Sequence, residues 1–167
     1  MKTVLVIDDN TDIRENTAEI LELAGYLTRT AENGKKGVEA ALKERPDIIV
    51  CDIMMPELDG YGVLHLLKKN PETANIPFVF LTAKTERGDL RKGMEMGADD
   101  YITKPFNDIE LLNAIDVRLK KAAVLDNKYA LSGQGASQFI NDVKNAGIIS
   151  HLTGEYEIEH YSKKQSL

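Results

Sequence analysis

The sequence predicts a doubly wound α/β domain over residues 1–122, a five-stranded parallel sheet with helices on both faces. A helical and extended C-terminal extension follows over 123–167. Three observations lead there. Five short apolar runs alternate with five helix-period segments. Three of the runs are nearly all apolar rather than alternating, the pattern of strands buried on both faces of a parallel sheet. Successive β and α at this spacing make βαβ units with right-handed crossovers.

In chain order, Val4-Leu5-Val6-Ile7 is the first run. Ile13, Thr17, Ile20, Leu21 and Ala24 then share one helical face. Asp12 with Glu15 resembles an N-terminal capping pair, and Gly25 suits the C-terminal stop. A weaker run lies near Leu27–Ala31, and Val38, Ala41 and Leu42 mark the second helix. Ile48-Ile49-Val50-Cys51 is the third run, and Val63, Leu64 and Leu67 mark the third helix. Phe78-Val79-Phe80-Leu81 leads to a fourth helix, from about Arg87 to Met96, with a weaker face of Leu90 and Met94 that ends before Gly97. Tyr101-Ile102 is the fifth run, and Leu112, Ile115 and Leu119 mark the fifth helix.

Composition narrows the class. The start, MKTVLVIDDN, lacks a signal-peptide pattern, and no run of 18 apolar residues occurs, so a cytoplasmic location is expected. The single cysteine, Cys51, rules out an intramolecular disulfide and reads as a buried strand thiol; His65 reads as a helix-surface residue. Residues 1–122 hold 17 Lys/Arg against 22 Asp/Glu, and residues 123–167 hold 4 against 5. Neither part offers the clustered basic face of a nucleic-acid binder, so no direct nucleic-acid contact and no membrane contact by this chain are expected.

Ligands of such sheets bind at the carboxyl ends of the strands. Asp8 and Asp9 follow the first run, Asp52 the third, Thr82 and Ala83 the fourth, and Lys104 and Pro105 the fifth. Any one of these alone reads first as a solvated loop group or a cap. Four strand ends delivering three carboxylates, a hydroxyl and an ammonium to one edge carry more weight. Three nearby carboxylates need a cation, and oxygen-only ligands favour a hard ion such as Mg²⁺. A carboxylate there can act as nucleophile toward a phosphoryl group. Asp52, at the end of the central-looking strand, is the best candidate, with Asp8 and Asp9 as metal holders. Lys104 and the Thr82 hydroxyl are placed to meet phosphoryl oxygens.

The segments VLVIDDN (4–10), DIIVCDIMMPELDGYGVL (47–64), FVFLTAK (78–84) and GADDYITKPF (97–106) resemble the receiver domains of bacterial response regulators. The resemblance implies a flavodoxin-like fold, Asp52 as phosphoacceptor, and Asp8, Asp9 and the Met54 main-chain carbonyl as Mg²⁺ ligands. It further implies Thr82 as switch hydroxyl, Tyr101 as its aromatic partner, Lys104 as phosphate-binding lysine before a cis Pro105, and Gly60 as the loop glycine. A sensor histidine kinase or phosphotransfer protein is the implied donor. The output surface is the face of the fourth helix, fifth strand and fifth helix, through which a homodimer could form, and transcription is the expected output. Two other readings stand beside it, a stand-alone protein-binding regulator and a phosphohydrolase. Such hydrolases use an acid/base carboxylate two residues past the nucleophile, where Met54 stands. The chain is therefore not expected to be an enzyme beyond self-catalysed phosphotransfer and dephosphorylation at Asp52.

Past residue 122, Asp126 to Ser137 reads as a linker, Phe139, Ile140 and Val143 as a short helix, and Glu155 to Tyr161 as strand-like. ISHLTGEYEIEHYSKKQSL resembles the start of the β-roll of cyclic-nucleotide-binding, catabolite-activator-type regulators. This implies an effector domain of which residues 123–167 are the linker and first part, in a protein that continues past Leu167.

Overall fold

The computed structural model describes residues 1–83 and 87–131. Five strands and five helices alternate: β1 (Thr3–Ile7), α1 (Thr11–Leu23), β2 (Leu27–Ala31), α2 (Gly34–Lys43), β3 (Ile48–Asp52), α3 (Gly60–Lys69), β4 (Phe78–Ala83), α4 (Arg87–Glu95), β5 (Asp100–Lys104) and α5 (Asp108–Leu131). All strand pairs are parallel, in the order β2-β1-β3-β4-β5. The chain starts inside the sheet, winds out to one edge through β2, and crosses back to β3. The expected doubly wound sheet is the one observed.

Alternate strand residues feed two cores. Leu5, Ile7, Ile49, Cys51, Phe78 and Phe80 pack with Val63, Leu64 and Leu67 of α3. Val4, Val6, Ile48, Val50, Val79 and Leu81 pack with Leu21 of α1 and Leu111, Ile115 and Leu119 of α5. The inner strands are apolar through Val4–Ile7, Ile48–Cys51 and Phe78–Leu81 because both of their faces are covered. β2 and β5 are sheet edges, which explains why their runs are weaker and why Tyr101 is exposed.

Several local readings are corrected. The N-cap of α1 is Asn10, whose side chain accepts from the Ile13 N–H; Asp12 lies inside the first turn. Ala24 is the exposed C-cap, and Ala18 is buried on that helix instead. Gly25 takes φ 97°, and the Gly25→Glu22 and Tyr26→Leu21 main-chain bonds close the helix end as a Schellman turn. Leu42 and Met94 are exposed, since α2 approaches the sheet through Gly37 against Ile7, with Gly34 against Leu58 and Val63 and Ala41 in the core, and Met96 rather than Met94 packs on the core. The Leu90 side chain lies outside the described residues. Residues 126–131, read as part of a linker, are the end of helix α5. By contacts the chain divides into units Met1–Ala122 and Ala123–Leu167. The short helix, the strand-like segment and the β-roll resemblance fall outside the described residues.

Candidate functional site

Parallel strands put their carboxyl ends along one edge, and the connections there carry the polar groups. Asp8 leaves β1, Asp52 is the last residue of β3, Thr82 and Ala83 close β4, and Lys104 closes β5. Asp8, Asp52 and Thr82 are 0%, 7% and 1% exposed, which excludes solvated loop groups as their description. Asp9 and Ala83 are exposed.

The Lys104 ammonium reaches into the acidic group, with Nζ 3.1 Å from Asp8 Oδ2 and 3.1 Å from Asp52 Oδ1. Carboxylate oxygens of Asp8, Asp9 and Asp52 lie within 4.8 Å of one another. Burial, helped by the charges of Asp8 and Asp9 and opposed by Lys104, pushes the Asp52 carboxyl up to about 6. Burial acts to lower the Lys104 ammonium, but Asp52 and Asp8 outweigh it and leave it raised. One ammonium thus faces three carboxylates, and the surplus negative charge on oxygen-only donors fits a hard divalent cation.

The Asp8 carboxylate is held by neighbours of its own loop: Oδ1 accepts from the Asn10 N–H at 2.9 Å. The Thr82 hydroxyl donates to the Ala83 carbonyl at 3.3 Å. Tyr101 is 43% exposed and faces outward from the edge strand. The Met54 side chain is exposed. The Lys104–Pro105 peptide is cis.

Gly60 opens α3 directly beneath Asp52. Its N–H donates to the Ile53 carbonyl at 2.8 Å, and a Cβ there would stand 2.6 Å from the Asp52 carbonyl oxygen and 2.9 Å from Ile53 Cα. Both obstacles are backbone and cannot turn aside. Gly60→Ala is expected to cost about 1–3 kcal/mol, read from its urea midpoint. A midpoint equal to that of the unaltered protein would show that the loop yields freely.

Sequence reasoning missed two members of this neighbourhood. Asn10 caps α1, and Arg14 Nη1 donates to the Asp8 carbonyl at 2.8 Å. The available signal was Arg14 itself, a cation near a helix N-terminus, where the helix dipole disfavours it without a compensating partner.

A family model described as the response regulator receiver domain matches residues 4–116. The chain belongs to this family. Among curated proteins, the receiver is similar to the phosphate regulon transcriptional regulatory protein PhoB of Pseudomonas aeruginosa, 39% identical over 127 residues, 76% of this chain and 56% of that protein. It is also similar to the DNA-binding dual master transcriptional regulator RpaA of Synechocystis sp., 39% identical over 121 residues, 72% of this chain and 50% of that protein. Among solved structures, chemotaxis protein CheY4 of Vibrio cholerae matches with a TM-score of 0.67 at 31% identity, covering 70% of this chain and 97% of that one. NtrX of Brucella abortus matches with a TM-score of 0.73 at 28% identity, covering 78% of this chain and 30% of that one. The chain spans about half the length of the curated relatives it matches. One of those relatives is named as DNA-binding, so the expectation of no nucleic-acid contact gains no support from them. No helix among the described residues is long and apolar enough to cross a membrane.

Proposed function

We propose that this chain is the input of a two-component response regulator, accepting a phosphoryl group on Asp52 from a histidine kinase or phosphotransfer protein. The observation that carries the reading is Lys104 bridging Asp8 and Asp52 beside the exposed Asp9, all at the carboxyl edge of the sheet. Asp8, Asp9, Asp52 and the Met54 main-chain carbonyl would hold Mg²⁺, which supplies charge neutralisation of phosphoryl oxygens. An Asp52 carboxylate oxygen attacks phosphorus; the P–O bond forms as the P–N bond to the donor imidazole breaks, and the imidazole leaves with the electron pair. Lys104 pairs with a phosphoryl oxygen, and the Thr82 hydroxyl donates to another.

The aspartyl phosphate brings close to two negative charges, a local event able to bias a two-state element. Thr82 and Tyr101 stand on neighbouring strands, β4 and β5, and Tyr101 borders a groove of about 420 Å³ on β5 and α5 lined also by Asp100, Glu110, Asn113 and Val117. This supports the face of α4, β5 and α5 as the output surface and as the site of a possible homodimer. Transcription is the output that the names of the curated relatives favour. The division after Ala122 supports residues 1–122 as the receiver domain and 123–167 as a second unit, which begins with the end of α5 and would lead through a linker to an effector domain. Met54, in place of the further carboxylate that hydrolases use, favours a signal over turnover and an Asp52 chemistry limited to self-catalysed phosphotransfer and dephosphorylation.

The test is phosphotransfer from a phosphohistidine donor, followed by intact-mass spectrometry with Mg²⁺ and with excess EDTA. One added phosphoryl group with Mg²⁺ and none with EDTA is expected; equal labelling in both would overturn the metal reading. Mg²⁺ at ~100 times its dissociation constant should also stabilise the fold by about 2.7 kcal/mol, seen as a raised thermal midpoint that EDTA reverses.

A further inference from the structure

Four hydrogen bonds tie residues 8–14 into one closed unit. The Asn10 N–H donates to Asp8 Oδ1 at 2.9 Å, and the Ile13 N–H donates to Asn10 Oδ1 at 3.0 Å. The Arg14 N–H donates to the Asn10 carbonyl at 2.9 Å, and Arg14 Nη1 returns to the Asp8 carbonyl at 2.8 Å. The first three are made by main-chain groups or by the cap. The last is the one that a side chain from the helix body supplies.

Its acceptor matters. The Asp8 carbonyl belongs to the peptide unit joining Asp8 to Asp9, and that unit is planar. Fixing the direction of this oxygen therefore fixes the direction in which the chain enters Asp9. Asp8 is buried and has other holds: its N–H donates to the Ala31 carbonyl at 3.2 Å, and its carboxylate meets Asn10 and Lys104. Asp9 is exposed, between the end of β1 and the cap of α1. The peptide that Arg14 grips restrains it from the β1 side, as the Asn10 N–H bond to Asp8 Oδ1 restrains it from the helix side.

We propose that Arg14 is a positioning residue for the divalent-cation site, acting through the Asp8–Asp9 peptide to aim the Asp9 carboxylate at the group formed by Asp8 and Asp52. The inference rests on the Mg²⁺ reading of the acidic cluster. Groups that orient metal ligands without touching the metal commonly change affinity 10–100-fold when removed. A guanidinium also adds positive charge near the site, and its loss through charge alone would strengthen cation binding. The two roles therefore predict opposite signs.

The experiment is calorimetric titration of Mg²⁺ into five proteins: unaltered, Arg14→Ala, Arg14→Lys, Asp9→Asn, and the Arg14→Ala/Asp9→Asn double variant. Arg14→Ala is expected to weaken Mg²⁺ binding about 10-fold or more. In the Asp9→Asn background the same change is expected to have little further effect, since the aimed carboxylate is already gone; this non-additivity is the mark of acting through Asp9. Arg14→Lys, which keeps the charge but not the planar fork, should fall between the two. Thermal midpoints without metal separate this from loss of fold, and Arg14→Gln takes the place of Arg14→Ala in the cycle if the alanine variant does not fold. Equal or tighter Mg²⁺ binding by Arg14→Ala overturns the proposal, as does an undiminished loss in the Asp9→Asn background. Unaltered protein that takes up no Mg²⁺ overturns the cation reading beneath it, and the proposal with it.

Discussion

Asp52→Asn protein given Mg²⁺ and a phosphohistidine or acyl-phosphate donor is expected to gain no phosphoryl group, against full labelling of the unaltered chain. The amide has no carboxylate oxygen to attack phosphorus. The neighbouring acids are poor substitutes: Asp8 is fully buried with both oxygens engaged by Asn10 and Lys104, and Asp9 is the proposed metal holder. Intact-mass spectrometry reads the outcome, and labelling at the level of the unaltered protein would sink the assignment of Asp52.

The same variant makes a stability prediction of opposite sign. Asp52 titrates near 6 in the folded chain against 3.8 for a free carboxyl. The folded protein thus binds this proton more tightly than the unfolded one, so ionised Asp52 destabilises the metal-free fold at neutral pH. A rise of this size corresponds to about 3 kcal/mol, which residual solvent screening reduces to about 1–2 kcal/mol. Metal-free Asp52→Asn should be the more stable protein at pH 7 by that amount. The advantage should shrink as pH falls through 6 and be gone below about 3.8, where both side chains are neutral. Urea midpoints of the two proteins across this range check it, and a gap that widens on acidification would reverse the argument.

The second large effect lies in the core beneath Asp52. Phe80→Ala is expected to cost about 3–5 kcal/mol, a large part of the ~5–15 kcal/mol that holds an average domain together. Phe80 is 1% exposed. Its ring packs edge-on against Tyr61 and Phe78, with centroids 5.3 and 5.1 Å away. Cε1 also comes within 3.1 Å of where a Gly60 Cβ would lie. The ring therefore supports both the opening of α3 and the loop that follows Asp52, and Thr82 stands two residues further along the same strand. Phe80→Leu, which refills most of the volume, should cost under about 1.5 kcal/mol. Equal urea midpoints for Phe80→Ala and the unaltered protein would show that the ring carries no such weight.

Both predictions rest on residues whose strands are legible in the sequence. Val4–Ile7, Ile48–Cys51 and Phe78–Leu81 are apolar without alternation because both faces of each strand are covered, and that local pattern does not depend on which strands are neighbours. The edge strands are less legible, since one covered side leaves a mixed pattern. Helix faces are clear where the packing stripe is wide, as at Val63, Leu64 and Leu67, and less clear at α2 and α4. There small residues make the contact, and a hydrophobic count passes over them. The capping correction at α1 has a similar cause: Asn10 and Asp12 are both competent caps, and which one serves depends on where the chain leaves β1.

By itself, the amino-acid sequence determined the alternation of β and α, the buried strands, and the set of polar residues that follow them. Periodicities of two and 3.6 and the positions of strand ends are local properties, written in neighbouring residues. Only the tertiary structure decided the order β2-β1-β3-β4-β5, the approach of Asp8, Asp9 and Asp52 to within 4.8 Å, and the bridge of Lys104 to two of them. Lys104 lies 96 residues from Asp8, and the bond between them exists because parallel crossovers return every strand to the same edge. The Arg14 grip on the Asp8 carbonyl was hidden for a different reason: a main-chain acceptor leaves no mark in the identity of the residue that carries it.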